Sequence, residues 1–251
     1  MLNTKIIKYS ALLILSLLLF GCDKDDATTL VVATSPDLPP FTFKKNEELC
    51  GIDIYLAKEI AKDSGKEIII KEMPFDELLE SVRAGRADIA IGTISITQER
   101  KQLVDFSEPY YKTGSVIFSP LAKSITSAAG LKGKSVGITM GAIVGKIAED
   151  AGGITVSFSN SFDIADAIID GKIDCAVSDA PMARTYIKDK ESLAITSPLL
   201  TEDNYGIACS KDKPALLKKV NKTIKRLQKS NELQEQIDIW MRLADEQLIK
   251  H

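Results

Sequence analysis

The chain has 251 residues, 45% hydrophobic and 27% charged, with a formal net charge of −3, which is enough to build one large domain or two ordinary lobes. Mild acidity without a long basic block excludes nucleic acid as a main partner, because phosphate binding needs clustered Lys and Arg. The single histidine, His251, excludes His-based triads and His metal sites, and without a CxxC pair neither zinc nor thiol redox chemistry has support; no cofactor is expected.

In chain order, Lys5 and Lys8 precede an apolar run from Ala11 to Phe20. The run is too short to span a bilayer comfortably and has the layout of a signal peptide, residues 1–21. Gly21-Cys22 at its end resembles the lipobox of bacterial lipoproteins, which implies cleavage that leaves Cys22 acylated and residues 22–29 as a polar tether. An uncleaved anchor, or a buried thiol at Cys22, is the alternative. Cys50, Cys175 and Cys209 remain, an odd number, and the last two sit in apolar runs where a buried, inert thiol is expected.

From residue 30 the pattern alternates between strand and helix. The runs 30–33 and 68–70 read as strands and 53–63 as a helix stopped by Gly65; a second helix over 75–84 is closed by Gly85, and a strand follows over 88–92. The same βαβαβ order returns as strand 135–138, helix 144–151, strand 154–158, helix 162–170 and strand 174–177. Setting "SVRAGRADIAIGT" (81–93) over "AIIDGKIDCAVSD" (167–179) aligns helix, terminal Gly, an Asp and an apolar strand without a gap. Thr93 and Asp179 then occupy the same place, the carboxyl end of the third strand of each half, where open α/β sheets bind ligands. A further strand over 205–210 and a helix over 214–227 return to the first half, so two crossings, near 111–114 and 201–205, form a hinge. The expected architecture is α/β and two-lobed, with residues 30–111 plus 206–251 as lobe 1 and 112–205 as lobe 2.

"SITQER" (95–100) carries the chemistry. Thr97 is placed to cap a helix beginning at Gln98, and the free N–H groups, the helix dipole and Arg100 together suit a carboxylate, with Ser95 adding a hydroxyl. Simple pairing of Arg100 with a surface carboxylate is the competing reading. Asp179, on the other lobe, can meet an ammonium group, or merely cap the helix that starts after it. A carboxylate site on one lobe and an ammonium site on the other describe a zwitterion.

The segments "PPFTF" (39–43), "GIDIYLAKEIA" (51–61), "AGRADIAIG" (84–92), "SITQER", "VDFSEPYY" (104–111), "DGKIDCAVSDAPMA" (170–183), "YGIACSKD" (205–212) and "IDIWM" (237–241) run in order through the chain. Together they resemble bacterial extracellular solute-binding proteins of the polar amino-acid ABC-transporter type, a periplasmic-binding-protein-like fold in a lipoprotein form. The resemblance implies that Arg100 takes the α-carboxylate with Ser95, that Asp179 takes the α-ammonium with Thr93, and that Phe75 packs on the side chain, unless Phe75 is only a hydrophobic staple. Three departures stand out. Leu38 replaces a usual aromatic residue, Ala142-Ile143 replace hydroxyl residues, and Ser35 stands where members that take cationic amino acids tend to have Asp; Ser35, Leu38 and Ile143 are therefore expected around the ligand side chain. "AAGLKGKS" (128–135) ends like a phosphate-binding loop but lacks its first Gly and the preceding strand.

The resemblance implies a monomeric, non-enzymatic protein that delivers an amino acid to an ABC-transporter permease from a lipid anchor facing the periplasm or the outside. Two rivals share the scaffold. One is a sensor that docks to a signalling receptor; the other is an enzyme like cyclohexadienyl dehydratases, which would need a well-placed general acid.

Overall fold

The computed structural model describes residues 28–245; the leader and Cys22 lie outside the described residues. The first half contains β1 (Thr29–Thr34), β2 (Asp37–Leu38), β3 (Thr42–Lys45), β4 (Glu48–Cys50), α1 (Ile52–Ser64), β5 (Glu67–Glu72), α2 (Leu78–Arg83), β6 (Ile89–Ala90), α3 (Gln98–Leu103) and β7 (Asp105–Phe106). Next come β8 (Tyr111–Thr113), β9 (Ser115–Pro120), β10 (Ser135–Thr139), α4 (Val144–Asp150), β11 (Ile154–Phe158), α5 (Asp163–Ile169), β12 (Cys175–Asp179), α6 (Ala180–Tyr186) and β13 (Leu193–Ile195). The chain returns through β14 (Asp203–Tyr205), β15 (Ala208–Cys209), α7 (Pro214–Lys229) and α8 (Glu232–Asp245). Among the described residues no helix is long and apolar enough to cross a membrane.

Two five-stranded sheets organise the two lobes, in the orders β5-β1-β6-β15-β7 and β11-β10-β12-β9-β13. The internal repeat is exact at the level of register. Val32 pairs with Ile89 in the first sheet and Val136 with Cys175 in the second, both parallel. Asp88 accepts the Val31 N–H at 2.7 Å, and Asp174 accepts the Ser135 N–H at 2.9 Å. Gly85 and Gly171, which end the preceding helices, have φ of 69° and 70°, a left-handed turn that a side chain would strain. One motif, helix, left-handed Gly, Asp and strand, thus delivers the two strand ends in the same way.

β8 and β14 pair antiparallel, Tyr111 opposite Tyr205, and form a two-stranded ribbon where the chain crosses between the lobes. α7 packs on α1 through Leu216, Val220, Ile224 and Leu227, all buried. Cys175 and Cys209 are buried and unpaired, with burial pushing both thiols up to about 12.

Some local readings differ from the sequence expectation. The helix expected over 75–84 opens as a 3₁₀ turn at Phe75–Glu77 and is α-helical only over Leu78–Arg83, because Pro74 enters extended. The strand expected over 205–210 is two strands with different partners, Tyr205 with Tyr111 in the ribbon and Ala208 with Ala90 in the first sheet. The three-stranded antiparallel sheet β2-β3-β4 fills a stretch in which strand-like alternation is too short to read.

Candidate functional site

Arg100 is held from its own lobe. Thr97 caps α3, its Oγ1 accepting the Arg100 N–H at 3.1 Å, and the guanidinium Nη1 donates to the Ser95 carbonyl at 2.9 Å. Ser95 itself bridges to Tyr205, which ties this loop to the ribbon between the lobes. The Phe75 ring lies 5.8 Å from the guanidinium carbon, within cation–π range. Burial disfavours the Arg100 charge, opposed by Asp179, Glu99 and Asp203. α3 has only six residues, so positive potential here comes from the guanidinium rather than from a helix dipole.

Thr93 follows β6 with φ of 52°, a conformation that costs a non-glycine residue roughly 1 kcal/mol or more. Its N–H donates to Asp53 Oδ2 at 3.2 Å, which fixes the turn from below. Asp53 is fully buried in the first turn of α1, and burial pushes its carboxyl up to about 7 against the pull of Tyr110, Thr93 and Thr42. No sequence signal beyond its place in "GIDIYLAKEIA" marked this residue.

Asp179 ends β12 and stands at the N-cap of α6, yet makes no capping hydrogen bond. Instead its Oδ2 accepts the Tyr205 hydroxyl at 2.6 Å and its Oδ1 the Ser115 hydroxyl at 3.4 Å. Burial pushes this carboxyl up to about 6, opposed by Tyr205 and reinforced by Asp203. Tyr205 is fully buried, stacked on Tyr111 at 5.7 Å and edge-on to Phe41 at 5.4 Å. The carboxylate is therefore oriented by an aromatic cluster at the chain crossings.

Arg100 and Asp179 face one cavity of about 30 Å³ at the junction of the lobes, with room for about one water molecule. Leu38, Phe75, Thr93, Ser95 and Ile143 share its wall. Ser35 does not; its hydroxyl donates to Asp37 at 2.5 Å. The wall also includes Thr139, Val144, Met182 and Tyr186, which sequence reasoning missed. Met182 and Tyr186 were accessible to it, since spacings of three and seven from Asp179 put them on the same helical face.

The lobes are closed over this cavity. Arg100 Nη2 donates to the Gly141 carbonyl at 3.0 Å. Asp37 Oδ2 accepts the Ser161 N–H at 3.3 Å and the Ser161 hydroxyl at 3.2 Å, while the Tyr186 hydroxyl donates to the Asp37 carbonyl at 3.4 Å. Each contact joins the two lobes, so a larger molecule enters only if these bonds open.

Similarity to known proteins agrees with this geometry. Residues 30–242 match the profile of bacterial extracellular solute-binding proteins, family 3. The arginine-binding extracellular protein ArtP of Bacillus subtilis (strain 168) is 32% identical over 218 residues, covering 84% of this chain and 85% of that protein. The L-cystine-binding protein TcyJ of Escherichia coli (strain K12) is 30% identical over 218 residues, 84% of this chain and 82% of that one. Among solved structures, the amino-acid ABC transporter substrate-binding protein AbpA of Streptococcus pneumoniae bound to L-arginine superposes with a TM-score of 0.81 at 32% identity, covering 86% of this chain and 96% of that one. The chain belongs to family 3 of the bacterial extracellular solute-binding proteins.

Proposed function

We propose that this family member captures an α-amino acid between its lobes and delivers it to the permease of an ABC transporter. One observation carries the reading: a buried guanidinium and a carboxylate, held by different lobes, face the same small cavity, each fixed by neutral hydrogen-bond partners. Arg100 binds the α-carboxylate with Ser95, and Asp179 binds the α-ammonium with Thr93. Leu38, Phe75 and Ile143 enclose the side chain, while Ser35 stands off the cavity and bonds to Asp37 at the lobe junction. Closure buries the ligand and forms the surface that the permease reads.

Sheet membership supports lobe boundaries at residues 111–112 and 205–206. Cys22 is the lipid anchor in this reading, which places a monomer on the membrane face toward the periplasm or the outside, without catalytic activity. The names of the curated relatives, which describe binding proteins, support that last point. Incubation with prephenate or arogenate should give no aromatic product.

The test is thermal unfolding of the protein, refolded to strip carried-over ligand, against each of the twenty amino acids. Ligand at about 100 times its dissociation constant adds roughly 2.7 kcal/mol. A clear rise with a subset of L-amino acids is expected; no rise with any of them on a folded sample overturns the reading.

A further inference from the structure

Resting on that amino-acid reading, we infer that the cleft selects an uncharged aliphatic or thioether side chain and rejects arginine, lysine and histidine. Once Arg100 and Asp179 hold the α-groups, the wall left for the side chain is Leu38, Phe75, Ala142, Ile143, Val144 and Met182, and none of these carries charge. The two further hydroxyls on the wall are already engaged. Thr139 shares a hydrogen bond of 3.0 Å with Ser161, and Tyr186 donates to the Asp37 carbonyl.

Two acids adjoin this wall in sequence: Asp76, one residue after Phe75, packs beside Gly141 at the lobe junction and does not line the cavity, and Asp37, one residue before Leu38, is committed elsewhere. Its carboxylate accepts the Ser35 hydroxyl together with the N–H and hydroxyl of Ser161, so it serves the lobe junction rather than the cavity. The Phe75 ring is likewise taken up by Arg100, and Leu38 offers no second ring with which to sandwich a cation. A cationic side chain would be desolvated with no lining carboxylate beyond Asp179, which the α-ammonium occupies, and with the Arg100 charge close by, an arrangement proteins avoid. An apolar side chain gives up no hydrogen bonds on entry and removes its own surface from water. Although the relatives include proteins named for arginine, the wall of this chain suits a different class.

Calorimetric titration of the ligand-stripped protein with L-leucine, L-methionine, L-valine, L-glutamine, L-arginine and L-histidine tests this. The best of the first three should bind at least on the order of 30-fold more tightly than arginine or histidine, as expected when a buried charge goes unpaired. Arginine, histidine or glutamine binding as tightly as the best aliphatic ligand overturns the side-chain inference and leaves the zwitterion clamp standing. Failure of every amino acid to bind overturns the clamp and the inference with it.

Discussion

The Arg100 guanidinium donates to the carbonyl of Gly141, a residue of the opposite lobe, at 3.0 Å, while its other amino group holds the Ser95 carbonyl at 2.9 Å. The side chain assigned to the ligand carboxylate is thus also a clasp between lobes. A carboxylate arriving in the cleft would replace a neutral acceptor with a charged one on the same donor, and charge-assisted bonds are about twice as strong. Closure and ligand capture draw on one guanidinium.

Arg100→Ala should weaken amino-acid binding by at least about 30-fold, as should Asp179→Ala, since truncating one partner of a buried charge pair typically costs about 2–5 kcal/mol. Arg100→Lys should rescue little, because a single ammonium cannot hold a ligand carboxylate in a fork while bonding the Ser95 carbonyl. Calorimetry on the three variants decides the matter, and unchanged affinity in both alanine variants would remove the site assignment.

Gly141 has φ of 77°, and a Cβ there would lie 2.7 Å from Cβ and 2.8 Å from Cα of Asp76 on the facing lobe. Gly141→Ala therefore combines local strain with a steric block across the cleft, and the block acts only on the closed form. Two effects are expected: a loss of stability of about 1 kcal/mol or more and a ligand-bound state less compact than that of the parent. Small-angle scattering with and without ligand measures the second. Equal compaction on ligand addition in both proteins would show that Gly141 and Asp76 do not meet on closure.

The parts of this arrangement that repeat were the ones legible in the sequence. Helix, Gly, Asp and strand recur without a gap, so Thr93 and Asp179 could be placed at equivalent strand ends, and the Thr97 cap of the Arg100 helix followed from local chemistry. Contacts between the lobes were not legible, since nothing local indicates that Asp37 will meet Ser161, 124 residues away. Asp53 was hidden for a similar reason: the bond that ties it to the site comes from a backbone N–H, that of Thr93, and backbone groups leave no mark on sequence. Tyr205 read as one residue of an apolar strand, because its hydroxyl acquires meaning only once the ribbon brings it to Asp179.

Asp37 and Ser161 should prove energetically coupled. Asp37→Ala removes both hydrogen bonds from Ser161 together with the one from Ser35, whereas Ser161→Ala removes only the hydroxyl bond to Asp37 together with the one shared with Thr139. Each single change should lower affinity by roughly 3- to 10-fold, in line with about 0.5–1.5 kcal/mol per hydrogen bond. The double variant should lose less than the sum, with a coupling of at least about 0.5 kcal/mol. Strict additivity in the calorimetric cycle would mean that the contact contributes nothing to closure.

Asp179 sets stability and binding against each other, and pH separates them. Its carboxyl is raised from 3.8 to about 6 in the folded protein, chiefly by burial, so the folded state holds this proton more tightly than the unfolded chain does. The resulting stabilisation is complete below about pH 4 and is lost as pH rises through about 6; above that the group titrates in neither state. Asp53, raised to about 7, acts with the same sign over a slightly wider window. Asp179→Asn, neutral at every pH and still able to accept from Tyr205, should exceed the ligand-free parent in stability at pH 8 by about 1–3 kcal/mol, a range discounted for the solvent that reaches the cleft. That advantage should vanish below about pH 4. Binding runs the other way, because an ammonium ligand needs the ionised carboxylate: affinity of the parent should be level above about pH 7 and should fall below about pH 6, approaching tenfold per unit. Denaturant titrations and calorimetry at matched pH give both profiles. An asparagine variant that binds as the parent does would show that the Asp179 charge does not hold the ligand, and one less stable at pH 8 would show that the charge does not burden the empty cleft.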